Sequence, residues 1–132
     1  MMSKNFDLLL KLVIYAMLLY GKKLLKMPTG KLKAEGIDWI QTAAEKGSVQ
    51  AMQTLGQAYL FGKGTNRNVS CGLSWLEKAS ENDSISSMVR LGKYFLEGIF
   101  SELQPQLGVE WLVKSTTDLL LLCDYIAGVL LH

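Results

Sequence analysis

The chain opens with a nearly unbroken apolar run from Leu8 to Tyr20, LLLKLVIYAMLLY, bracketed by Asp7 and Lys22. Over 48–61 the apolar positions thin to Val49, Met52, Leu55, Ala58 and Tyr59. Those steps of three and four predict a helix with one buried face. Over 68–80 they recur at Cys71, Trp75, Leu76 and Ala79, which predicts a second helix. Between the two, Gly62-Lys63-Gly64-Thr65-Asn66 has turn chemistry. Gly47 suits the end of a preceding helix, and Ser48 can cap the next. Pro105 falls near a further helix start, where its missing N–H costs nothing. Asp118 to His132 returns to an apolar run, DLLLLCDYIAGVLLH. No alternation of β-branched residues is long enough for a sheet, so the expected fold class is all-α.

The pattern repeats. Shifted by 36 positions, the sequence overlays itself, and Trp39, Trp75 and Trp111 fall in register. These are all three tryptophans of the chain, so one structural position is marked three times. Gly36, Gly72 and Gly108 precede them; Ile40, Leu76 and Leu112 follow; Ala43, Ala79 and Ser115 come next. Leu55-Gly56 aligns with Leu91-Gly92, and Gly62 with Gly98. The N-terminal run joins one residue short, with Gly21 opposite Gly56. Each unit reads as a helix–turn–helix, giving units at 5–47, 48–83 and 84–119 and a terminal helix at 120–132. Glycine inside a helix costs about 1 kcal/mol against alanine, so its recurrence needs a reason. At Gly56 and Gly92 a missing side chain lets paired backbones approach. The indoles of Trp39, Trp75 and Trp111 are expected to fill the remaining space as core wedges.

These residues resemble the Sel1-like repeat family, relatives of the tetratricopeptide repeats. The second unit carries the pattern as Ala51, Leu55-Gly56-Gln57-Ala58-Tyr59, Gly62-Lys63-Gly64, Asn68 and Gly72-Leu73-Ser74-Trp75-Leu76-Glu77-Lys78-Ala79. The closing Ala-Ala-x-x-Gly is clearest at Ala43-Ala44-Glu45-Lys46-Gly47. The likeness is strongest across 34–98, weaker across 99–132, where Phe100, Ser101 and Glu102 replace loop glycines, and weakest across 1–33. Asn68 stands where the family has a capping Asp. The resemblance implies an α-solenoid of about three helix-turn-helix repeats plus a C-terminal helix, right-handed, with the first helices lining a concave face. It implies no chemistry, since similar proteins are mostly scaffolds and adaptors that bind other proteins. Cysteine-rich members lock each unit with a disulfide. Cys71 and Cys123 lack that spacing, which favours reduced, half-buried thiols and a cytoplasmic location. Small free-standing bacterial members serve as immunity partners of secreted or contact-delivered toxins, a role that suits this chain's size.

The two ends carry the apolar excess. The N-terminal run is too short for a bilayer span, with Lys11 inside it, and it lacks a small-x-small cleavage site. It is expected to be a buried helix near 5–25 that caps the array. The C-terminal run reads by register as the first helix of a fourth unit without its mate. Such a helix needs covering, by folding back on the third unit, by a homodimer contact or by a partner protein.

Composition narrows the chemistry. The one histidine is His132, so no His-based metal cluster or Ser–His–Asp triad is available inside the fold. Ser87-Met88-Val89-Arg90 has nucleophile-and-base spacing, but Arg cannot act as the base. Glu77 and Glu81 share a helix face and read as solvated. No cofactor and no catalysis are expected. Net charge is only +2, unevenly spread: 1–66 carries nine lysines against four acids, and 67–132 carries five basic groups against eight acids. Lys22, Lys23, Lys26, Lys31 and Lys33 cluster with no aromatic interleaving. That argues against nucleic acid.

The expected function is therefore protein binding, with no nucleic acid and no membrane as partner. Positions off the apolar stripe of the first helices are Gln53 and Gln57 in the second unit and Val89, Arg90, Lys93 and Glu97 in the third. Tyr94 joins them because its lattice mate Ala58 is small. Arg90 and Tyr94 are the expected anchors, as Arg and Tyr commonly are. In the sharpest version the partner is a toxin. A basic, nucleic-acid-directed toxin would prefer the acidic half around Glu97, Glu102 and Glu110. The broader version is an adaptor for signalling, secretion or envelope proteins.

Overall fold

A computed structural model describes residues 2–100 and 104–131, with side-chain surroundings for 5–100, 104–120 and 127–128. The described residues form six α-helices and no strand: α1 (Met2–Leu25), α2 (Gly30–Glu45), α3 (Val49–Phe61), α4 (Val69–Glu81), α5 (Ile85–Glu97) and α6 (Pro105–Leu131). Contacts divide the chain into two compact units, 1–75 and 76–132, with α4 contributing to both. The fold class is all-α, built from helix-turn-helix repeats, as the 36-residue pattern requires.

In the first unit α1 and α2 form a hairpin. Thr29 caps α2 by accepting the Leu32 N–H at 3.4 Å. The two helices meet at glycine. A Cβ on Gly21 would lie 2.8 Å from the Gly36 carbonyl oxygen and 2.6 Å from Ile40 Cγ1. A Cβ on Gly36 would lie 2.7 Å from the Gly21 oxygen. No methyl fits at such distances, so the absence of side chains sets how close these helices come. Gly47 then turns the chain at φ 101°, a left-handed conformation that suits glycine. Ser48 caps α3 by accepting the Ala51 N–H at 3.2 Å. Gly62 closes α3 with φ 69°, and Asn68 Oδ1 caps α4 by accepting the Cys71 N–H at 3.1 Å. Asn68 thus does the work of the Asp it replaces. A Cβ on Gly72 would lie 2.8 Å from the Gly56 oxygen and 2.6 Å from Leu60 Cγ.

The second unit repeats these devices. Ser84 caps α5, and Gly98 closes it at φ 64°. A Cβ on Gly92 would lie 2.9 Å from the Gly108 oxygen, and one on Gly108 would lie 2.8 Å from the Gly92 oxygen. The loops tie back identically: the Asn68 N–H donates to Tyr59 O at 2.9 Å, and the Gln104 N–H to Phe95 O at 3.0 Å.

Four expectations change. The space beside the glycines is filled by Ile40, Leu60, Leu96 and Leu112, not by indole. Trp39, Trp75 and Trp111 are all half-buried on the shoulders of their helices. One residue on, 100° round the helix, Ile40 and Leu76 are fully buried. Trp39 meets the Tyr20 ring edge-on at 5.7 Å, and the Lys114 ammonium sits 5.5 Å from the Trp111 ring. Cys71 is exposed, because Gly72 beside it is the residue that faces α3. The side chain of Cys123 lies outside the described residues.

The N-terminal helix is the third correction. It forms, but among its described side chains only Leu18, Gly21 and Leu24 are buried, and Leu8, Leu9, Leu12, Val13, Tyr15, Leu19 and Tyr20 are exposed. The fourth concerns the second helix of the third repeat and the expected terminal helix, which are one continuous α6 with no turn at 119–120. The reason is visible in the lattice. The left-handed turn residues Gly47 (φ 101°) and Asp83 (φ 69°) have Leu119 as their mate, and the caps Ser48 and Ser84 have Leu120. Leucine at neither place can break or restart a helix. Apart from Ala127 and Gly128, the side chains beyond Leu120 lie outside the described residues, so no cover of this segment is described.

Candidate functional site

The described side chains offer surfaces before they offer a reaction centre. In the second unit α5 is amphipathic in the strict sense. Ser87, Met88, Leu91, Gly92 and Phe95 are buried, while Ser86, Val89, Arg90, Lys93 and Glu97 are exposed along the opposite stripe. Their spacing puts them on one line at helical periodicity. The stripe is rigidly presented: Ser84 holds one end, Gly98 the other, and the Gly92–Gly108 contact seats the helix on α6. Two cations, one carboxylate and an exposed valine on a fixed face can make charge-assisted hydrogen bonds around an apolar patch. Arg adds a planar, bidentate fork that Lys cannot supply.

Tyr94 leaves the set. Its side chain is 8 % exposed and packs edge-on against the Phe100 ring at 4.7 Å, 90° between planes. The small mate Ala58 is buried too, so a larger residue at that position fills the core and does not reach outward. Arg90, Lys93 and Glu97 stand where the periodicity puts them, and Gln53 and Gln57 are half-buried on α3.

The α3 stripe in the first unit is neutral. Gln50 is exposed, Gln53, Thr54 and Gln57 are half-buried, and the Thr54 hydroxyl donates to Gln50 O at 2.9 Å. The stripe ends at Phe61, 53 % exposed, with the Lys63 ammonium 5.8 Å from its ring. Gln50, Thr54 and Phe61 escape a reading that looks only for charge. They are the 36-residue mates of Ser86, Arg90 and Glu97, which is the signal that finds them.

Among the described acid–base groups, Glu77 and Tyr59 depart from their ordinary values. Burial first, and the Glu81 carboxylate second, push the Glu77 carboxyl up from its ordinary value. Burial likewise raises the Tyr59 phenol, with lesser contributions from Cys71 and Asp38. Among the described residues no three His, Cys, Asp or Glu side chains converge as a metal-binding group. A shallow cleft of about 450 Å³ lies between α1 and the turn after α2, with Asp7, Lys11 and Lys46 at its polar edge. Among the described residues no helix is long and apolar enough to cross a membrane.

Three stretches of the chain, 14–48, 49–84 and 85–116, match the Sel1 repeat family. A Sel1 repeat protein from Oxalobacter formigenes superimposes with a TM-score of 0.67 at 27 % identity, over 77 % of this chain and 79 % of that one. A protective antigen present in uropathogenic Escherichia coli strains, displaying an SLR fold, gives 0.69 at 25 % identity. That match spans 79 % of this chain and only 22 % of the antigen. No curated protein matches.

Proposed function

The chain belongs to the Sel1 repeat family, and from that premise we propose that it works as a binding module whose α5 stripe docks a partner protein. Sel1 repeats are in general protein-interaction scaffolds without catalysis. The observation that carries the reading is the exposed line Val89–Arg90–Lys93–Glu97 on a helix whose other face is locked by glycine contact. Such a line loses little side-chain and backbone freedom on binding, which is where association is most often penalised. The test is capture of partners by immobilised full chain from the native host, read by quantitative mass spectrometry. Proteins enriched by the wild type should fall tenfold or more with Arg90→Glu/Lys93→Glu, a loss of about 1.4 kcal/mol or greater, typical of removing interface anchors. An unchanged enriched set, with the variant's melting temperature also unchanged, would reject the stripe.

The finer reading makes the partner a toxin and the module its immunity protein, acting in the cytoplasm. The uneven charge supports it: the acidic second half suits a basic partner and would speed encounter. Glu97 and Glu110 are exposed there, and Glu102 lies outside the described residues. Co-expression with the toxin encoded beside its gene should rescue growth, and Glu97→Lys/Glu110→Lys should weaken the rescue. Where rescue fails for the wild type while partner capture succeeds, the adaptor reading stands and the immunity reading falls.

A further inference from the structure

Among the described residues the widest exposed apolar surface belongs to α1, and protein docking through α5 makes no use of it. At 100° per residue, Leu8, Leu9, Leu12, Val13, Tyr15, Ala16, Leu19 and Tyr20 fall within an arc of about 160°. All are exposed, Leu9 at 60 % and Leu8 at 59 %. The charged groups of the same stretch, Asp7, Lys11 and Lys22, fall within about 60° of one another on a separate line. Between residues 6 and 22 no charged group falls inside the arc; Leu18, on the charged line, is buried, and Asn5 and Lys23 bound the arc at its two ends. Just beyond Tyr20 come Lys22, Lys23 and Lys26, then Lys31 and Lys33 at the start of α2, with no acid among them.

We propose that α1 lies in the plane of an anionic lipid surface, its outer arc sunk among the acyl chains and its lysines among the headgroups. Charge selects this occupant over a second copy. α1 carries Lys4, Lys11, Lys22 and Lys23 against Asp7 alone, so an anionic surface offsets its excess of lysine while a second copy only doubles it. Phe6 and Leu10 lie outside the arc and are still 65 % and 42 % exposed. Charge also selects lipid over a protein: with no acid from residue 22 to 33 and Lys23 on the same side as the arc, this end of α1 calls for an extended anionic surface. Tyr15 and Tyr20 have an apolar body and a polar tip, the amphipathic form that favours a membrane interface. Lysine stems at the edge can lie along the apolar layer with the ammonium in the headgroups. The helix is not apolar enough to cross a bilayer, which fits lying on it.

The experiment is sedimentation of the full chain with vesicles of phosphatidylcholine alone, and of equal parts phosphatidylcholine and phosphatidylglycerol. Binding to the mixed vesicles, weak binding to the neutral ones and release by high salt are expected. Lys22→Gln/Lys23→Gln/Lys26→Gln should weaken partitioning about a hundredfold, at roughly fivefold per lysine. Leu9→Gln/Leu12→Gln/Leu19→Gln should abolish it while leaving the circular dichroism and melting temperature in place, since all three side chains are exposed. Three results would each overturn the proposal: no binding to either vesicle, equal binding by the leucine variant, or a vesicle-indifferent dimer that the leucine variant turns into monomer.

Discussion

At the scale of single residues, Glu77 shows how burial and charge can be read against each other. Its carboxyl is held above its ordinary value because its surroundings are partly dry and Glu81 lies one turn away. The folded chain therefore binds that proton more tightly than the unfolded chain does. Ionised Glu77 weakens the fold at neutral pH, and the penalty fades as pH falls through the raised value. Glu77→Gln should melt at a higher temperature than wild type at pH 7, and the gap should close on acidification. A gap that persists into the acid range would assign the effect to packing. This pairing was legible as spacing, since Glu77 and Glu81 plainly share a face. The partial burial was not, because it depends on what packs over residue 77. Tyr94 makes the same point: spacing put it beside the exposed stripe, and only packing against Phe100 turned it inward.

At the scale of elements, local chemistry was the best guide. Gly47, Ser48, Gly62 and Asn68 predicted where helices stop and start, and each does so through its own backbone or cap. Pro105 opens α6 as its missing N–H allows. The continuous α6 was equally legible: Leu119 and Leu120 occupy the places of turn and cap. The apolar content of 118–132 suggests a separate helix, although the breaker is missing. Restoring it should split the element. Leu119→Gly/Leu120→Ser is expected to raise amide hydrogen exchange through residues 117–122 by tenfold or more, while α5 keeps its protection. Unchanged protection across that stretch would mean that contacts and not the missing turn hold α6 straight. The outer face of α1 is the least legible in the sequence. An apolar run looks the same in sequence whether neighbours cover it or leave it open, and here the charged line at Asp7, Lys11 and Lys22 was the only clue to direction.

At the scale of the whole molecule, one joint is used repeatedly. Gly21 with Gly36, Gly56 with Gly72, and Gly92 with Gly108 bring backbones together at carbonyl-to-Cα range, and aliphatic side chains close the space beside them. The three tryptophans advertise the period, but they ride on the shoulders of the joints. The lattice therefore predicted the repeat and the helix pairs, while assigning the wedge to the wrong residue type. Thermal unfolding of single alanine variants tests the joint directly. Alanine favours a helix over glycine by about 1 kcal/mol, so at an open site it should stabilise. At a joint, overpacking of about 1–3 kcal/mol should outweigh that gain. Gly36→Ala, Gly72→Ala and Gly92→Ala are expected to lower the melting temperature, and Gly128→Ala, with nothing within 4 Å of the added methyl, to raise it. A rise in all four would show that the helices do not meet at glycine, and the repeat would have to be held together some other way.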